Sequence, residues 1–361
     1  MDGMNEFSMT GDQYGMGAGD GMTGAPAPAG PDEVKAARKH FSRLGGMFIL
    51  GTLVIYAAQL IPMTLIQLLK PEWMENGNIS LMISVLPMYL IGMPVLILLV
   101  RTIPGETPRR HPIKPGAFII AVIMCFAIVY ISNIVGNLIT ALIGALKGGM
   151  VQNQVLNVTQ NVSIWMIVFY MVICAPIMEE FVFRKLIVDR TVRYGQGAAV
   201  LMSGLMFGLF HGNLNQFMYA FVLGMFLAFL YVKTGDIRIT IALHMMINFV
   251  GGVVASGLLR MIDLDGYTQA MMGGDMAAMM TYIQENLAGI MAYAVFGIFV
   301  LAMMVAGGVL LIVNLVKHKF VLEKGSVIIP KGQRFGTMIL NAGMIIYSIF
   351  WIAMIIIQLF L

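Results

Sequence analysis

Charge is scarce in this sequence. Of 361 residues only 11% are Asp, Glu, Lys or Arg, against about a quarter in an ordinary soluble domain. That excludes a typical soluble enzyme, and the 59% of hydrophobic residues turns attention to a membrane. The net charge is only +4 and the basic residues sit between long apolar stretches, so no positive face for nucleic acid is expected. Cysteine is nearly missing. Cys125 and Cys174, the only two, both fall within apolar segments, which leaves neither a disulfide framework nor a thiolate metal cluster. Also missing are the His-Glu-x-x-His helix of zinc peptidases and the Gly-x-Ser-x-Gly elbow of serine hydrolases. No internal or inverted repeat stands out, which removes the main sequence support for a transporter.

What is present is hydrocarbon-length apolar sequence. A helix needs roughly 20 apolar residues to cross about 30 Å. Nine candidates run near Gly45–Leu69, Ile79–Val100, Gly116–Ala145, Ile164–Val188, Gly197–His211, Phe217–Val232, Ile239–Leu259, Ile290–Val316 and Phe335–Leu361. The fifth and sixth are short. The expected fold is an all-α integral membrane protein, a polytopic helical bundle of eight or nine transmembrane helices. Residues 1–40 are expected as a disordered Gly/Met-rich tail and 41–160 as three transmembrane helices. Residues 161–260 form a helical core, 261–289 an extracytoplasmic loop, and 290–361 two further helices around a cytoplasmic loop at 317–334.

Alternate connections are basic: Lys35 to Arg43, Arg101 to Lys114, Arg190 and Arg193, Lys233 and Arg238, and Lys317 to Arg334. Because Lys and Arg are retained inside, this predicts a multi-pass protein of the plasma membrane with a cytoplasmic amino terminus. Reading the fifth and sixth segments as a re-entrant pair is expected to break the alternation. Val327-Ile328-Ile329 after Lys324-Gly325 suggests a small hairpin.

Ionisable groups inside hydrocarbon cost roughly 2.5–3.5 kcal/mol each on insertion scales, so each is a functional candidate. The fourth segment holds Glu179-Glu180-Phe181-Val182-Phe183-Arg184, the fifth Phe207 and His211, the seventh His244 and Asn248. Glu180 and Arg184 are four apart, so they share a helix face and can neutralise each other. Glu179 is turned about 100° away and is free to work. His244 and Asn248 also share a face, and both donate hydrogen bonds, as a developing oxyanion requires. For Glu179 and His211 to meet at one depth, the fourth helix must run on towards Arg193. Pro176 removes a helix hydrogen bond just before Glu179, and Gly204 and Gly208 are spaced for close approach to that helix.

Glu-Glu-x-x-x-Arg, Phe-x-x-x-His and His-x-x-x-Asn, in this order on successive apolar helices, resemble the three-motif signature of the CPBP or Abi family, which includes CAAX prenyl proteases and bacteriocin-immunity proteins. The resemblance covers roughly Ile164 to Asn248. It implies an intramembrane endopeptidase acting on membrane-associated or lipidated peptides or proteins. In that family the residues matching Glu179 and His211 activate water, and those matching His244 and Asn248 stabilise the oxyanion. Glu180 and Arg184 would hold the site in shape. A metal is left open: no cofactor is favoured, yet Glu179, His211 and His244 would make a zinc ligand set with one open position. Asn248 beside His244 suits an oxyanion donor better than a zinc support.

Plainer readings stand beside these. The Glu180–Arg184 pair is more often structural, His211 can simply end its helix, and His244 and Asn248 can be interhelical bonding. Interhelical bonding is also the default for Gln59, Asn133, Asn137, Asn314 and Asn341. The 34 Met residues are flexible packing. The competing function is a non-catalytic membrane regulator or immunity protein of the same fold.

Overall fold

The computed structural model describes residues 27–149 and 151–360. The expected tail lies outside the described residues up to residue 26. From residue 31 it is not a tail: α1 (Pro31–Leu69) begins there. Pro31 at the first helical position needs no hydrogen-bond partner, and the Glu33 carboxylate accepts from the Gly30 N–H at 2.9 Å. Ala37 and Phe41 are buried, so this first part of α1 is packed despite its charges.

The remaining long helices are α2 (Gly77–Arg101), α3 (Pro115–Lys147), α5 (Ile164–Tyr194), α7 (Leu214–Thr234), α8 (Ile237–Leu259), α11 (Leu287–Val316) and α12 (Ala342–Phe360). With α1, eight described helices are long and apolar enough to cross a membrane. Shorter ones are α4 (Gln154–Asn161), α6 (Gln196–Phe210), α9 (Leu264–Gly273) and α10 (Met276–Glu285). The protein is a polytopic all-α membrane protein. An aromatic core of Phe41, Phe48, Phe183, Phe207, Tyr347 and Trp351 ties α1, α5, α6 and α12 together.

The fifth expected span differs. With 15 residues, α6 is about 22 Å long at 1.5 Å per residue and cannot cross about 30 Å of hydrocarbon. It doubles back into α7 through Gly212, which has φ +64°, and Asn213, whose side chain caps α7. A Cβ at Gly212 would lie 3.0 Å from the Trp351 ring. Trp351 is midway along α12, so the hairpin tip ends beside the middle of that helix. Gln196 at the start of α6 and Lys233 at the end of α7 both bind Glu323, so the hairpin enters and leaves at one end and the connections before and after it lie on the same side. The alternation of basic connections therefore survives, contrary to expectation.

Those connections do meet at one end of the bundle. The Glu106 N–H donates to the Asp189 carbonyl, His111 N–H to Thr234, and Gln196 N–H to Glu323. Lys233 pairs with Glu323 at 2.8 Å and Arg110 with Asp236 at 3.0 Å. Arg238, hydrogen-bonded to Asp236, holds that carboxyl well below the usual carboxylate range. The segment after α11 contains no strand, in place of the expected hairpin. Its backbone is used elsewhere: Val327 N–H donates to Arg193, and the Ile328 carbonyl accepts from Ala29.

Gly204 and Gly208 do permit close approach, but to α7 rather than to α5. A Cβ on Gly208 would sit 3.1 Å from the backbone nitrogen of Phe221. Gly208→Leu is therefore expected to force the hairpin apart and to cost roughly 1–3 kcal/mol, as overpacking does. Thermal unfolding in detergent checks this, and an unchanged midpoint would contradict it. Of the scattered polar residues, Gln59 reaches across to Ser84 at 3.3 Å. The others turn back on their own surroundings: Asn137 donates to Asn133 at 2.7 Å, Asn314 to the Leu310 carbonyl, and Asn341 caps α12.

Candidate functional site

The site is built around the middle of α5. Pro176 cannot donate to the helix ladder, and wide π turns lie on both sides of it, at Ile167–Cys174 and Glu180–Val188. Such turns recur at functional sites because they re-aim side chains. Helix α5 runs unbroken to Tyr194, as the depth argument requires. Glu179 is the sixteenth of its 31 residues.

The two adjacent carboxylates part company. Glu180 is fully buried and its Oε1 lies 2.8 Å from Arg184, also fully buried. The Arg184 guanidinium stacks 4.5 Å from the centre of the Phe207 ring and donates to Ser203 Oγ at 3.4 Å. Ser203 in turn donates to the Phe183 carbonyl at 2.8 Å. Glu179 retains 23% side-chain exposure, and its Oε2 lies 3.7 Å from His244 Nε2.

Both imidazoles are oriented through Nδ1. His244 Nδ1 lies 2.9 Å from Glu180 Oε1, and His211 Nδ1 lies 2.8 Å from the Phe207 carbonyl. Since each partner is only an acceptor, the proton is assigned to Nδ1 in both rings. Nε2 is then the nitrogen left for chemistry. Asn248 spends one amide N–H on the Met171 carbonyl of α5 at 2.8 Å, which ties α8 to α5. Its second N–H remains. His211 also ends α6, with Gly212 following, so its plainer role and its place in the site coincide.

Glu179, His211, His244 and Asn248 all line one cavity of about 560 Å³. Glu180 and Arg184 stand behind it and do not line it. The cavity wall adds groups that motif reading did not single out, chiefly Gln216 and Tyr219, joined at 2.9 Å. A signal for Gln216 was there: Asn213-Leu214-Asn215-Gln216 is a capping sequence. Asn213 Oδ1 accepts from the Gln216 N–H at 2.9 Å, and its amide donates to the His211 carbonyl at 2.9 Å. The cap thus holds the turn that carries His211. Ser203 has no such signal, because its partners are on another helix.

Two Nε2 atoms and a carboxylate facing one cavity are the donor types zinc takes. Among the described residues, however, no three His, Cys, Asp or Glu side chains converge closely enough to hold a metal ion. The residues as placed do not fit the zinc ligand set.

Residues 160–250 match the family described as "Type II CAAX prenyl endopeptidase Rce1-like". All three motifs fall inside that stretch. The chain is also 31% identical over 160 residues to a protein of Bacillus subtilis (strain 168) named "Putative membrane peptidase YdiL". That match spans 43% of this chain and 64% of the relative. No solved structure matches the chain significantly. These likenesses agree with the motifs in what the segment 160–250 resembles: membrane proteases of the type II CAAX prenyl endopeptidase kind.

Proposed function

We propose that this protein is an intramembrane endopeptidase that cleaves membrane-associated or lipidated peptides or proteins, with Glu179 as the base that activates water. One observation carries the reading. Of two neighbouring carboxylates, Glu180 is neutralised by Arg184 at 2.8 Å, while Glu179 faces the cavity shared with His211, His244 and Asn248.

In this reading Glu179 takes a proton from water as the water oxygen bonds to the peptide carbonyl carbon. His211, unprotonated at Nε2, accepts the water's other hydrogen and orients the attack. The carbonyl oxygen becomes an oxyanion beside the remaining Asn248 N–H, and such preorganised donors act strongly where water is scarce. His244 joins as a donor only when it carries protons on both nitrogens, since Nδ1–H is committed to Glu180. As the C–N bond breaks, the proton on Glu179 passes to the leaving nitrogen. Glu180 and Arg184 position His244 and touch no substrate. The end where the basic connections meet is taken as cytoplasmic, which puts the amino terminus inside a plasma membrane.

The test is cleavage of a fluorogenic peptide panel by purified, reconstituted protein. Turnover is expected with and without chelator, and His211→Ala is expected to lower kcat by about 10²-fold, the low end for acid–base assistance. Loss of activity in chelator, regained with zinc, would replace the glutamate mechanism by a metal one. Full activity of His211→Ala would remove His211 from the chemistry.

A further inference from the structure

A second groove, of about 470 Å³, opens beside the catalytic cavity. It is lined by Asn137, Thr140, Ala141, Gly144, Asn153 and Asn215, among others, and Asn153 and Asn215 line both spaces. The order along α3 gives its direction. Asn133 faces the catalytic cavity and Asn137 to Gly144 face the groove, so the groove extends the cavity by about 16 Å at the helical rise of 1.5 Å per residue. It leads towards Lys147, away from the end where the basic connections meet.

Building on the hydrolase reading, we propose that this groove binds the substrate as an extended, uncharged peptide segment on one side of the scissile bond, with Asn215 holding its backbone where cavity and groove join. About 16 Å accommodates roughly five residues of extended chain. Three features of the lining argue for a peptide backbone. Its polar groups are amides and a hydroxyl, which both donate and accept, so they match repeating N–H and C=O groups whatever the side chains. No ionised side chain lines it, so a charged segment would find no partner there. Asn215 is 5% exposed and its Oδ1 is enclosed with no hydrogen-bond partner, an arrangement that is costly until a donor arrives. Ala141 and Gly144 leave room for the chain.

The experiment uses a peptide series lengthened one residue at a time on each side of the cleaved bond. Wild-type kcat/KM is expected to rise with length on one side only and to level off after roughly five residues. Ala141→Trp, at an exposed position that can take a larger side chain, should fill the groove. It is expected to cut the ratio of kcat/KM between long and short peptides by about ten-fold, through KM, the size of one lost hydrogen-bonded contact. Asn215→Leu should act in the same direction. An unchanged ratio in Ala141→Trp overturns the proposal. So does an equal fall in kcat at every length, which would make the groove a water path. Binding of the same labelled peptides to Glu179→Gln, read by fluorescence anisotropy, separates the two readings. Length-dependent binding without cleavage by the wild type keeps the groove and ends the hydrolase reading. Length-independent binding alongside wild-type cleavage does the reverse.

Discussion

Glu179→Gln is expected to lower peptide turnover by about 10²–10⁴-fold, the range for loss of a positioned general base, while the protein still inserts and unfolds at an unchanged temperature. Gln keeps the size of the side chain and cannot take a proton from water. Stability should hold because the charge of Arg184 is balanced by Glu180 at 2.8 Å, so removing the charge of Glu179 strands no buried cation. The contrast with its neighbour is the sharper part of the result. Glu180→Gln keeps an oxygen that accepts from His244 Nδ1 and from Arg184 but loses the charge between them, so it should weaken both folding and turnover. Turnover within a few-fold of wild type in Glu179→Gln would take the base assignment away. Melting curves on the same preparations show whether any loss of activity is a folding effect.

Arg184→Met should be the most destabilising single change at the site. It removes one partner of an ion pair in which both side chains are fully buried and leaves a carboxylate in a low-dielectric interior, at a cost of about 3–5 kcal/mol. It also removes the cation over the Phe207 ring and the donor to Ser203. The double variant Glu180→Gln with Arg184→Met leaves no buried charge and should recover much of the lost stability, since replacing both partners is often nearly neutral. Turnover should stay low in the double variant, because His244 then rests on an amide rather than on a carboxylate. Thermal or denaturant unfolding in detergent, run beside the cleavage assay, checks both halves. Equal stability of Arg184→Met and wild type would mean that the pair is dispensable.

Much of this site is legible without coordinates, because helical spacing is local. The four-residue step from Glu180 to Arg184 brings them onto one face whatever surrounds α5, and the rotation between Glu179 and Glu180 separates their environments. Placing His211 level with Glu179 is a different matter. Hydropathy reads Gly197–His211 as a short crossing, and only the packing of Gly212 on Trp351 shows that the hairpin ends partway along α12. The partner of the Gly204 and Gly208 face was likewise illegible, since small residues announce close approach and not with whom. Asn248 shows the same limit: its chemistry is plain from the sequence, but its use of one N–H on Met171 depends on how α8 crosses α5. The expected tail missed the first turns of α1 because their burial comes from residues some 300 positions away, as the Arg38 bond to the Leu340 carbonyl shows.

By itself the sequence determined that this is a polytopic helical membrane protein, which ionisable residues fall within apolar helices, and which of them share a helix face. These follow from composition and from a 3.6-residue period, both properties of short stretches of chain. The tertiary structure alone decided that three helices open onto one cavity, that α6 stops short, and that a second groove continues from the site. Those depend on the depth and crossing of helices far apart in sequence, which are set by long-range packing that no local pattern encodes.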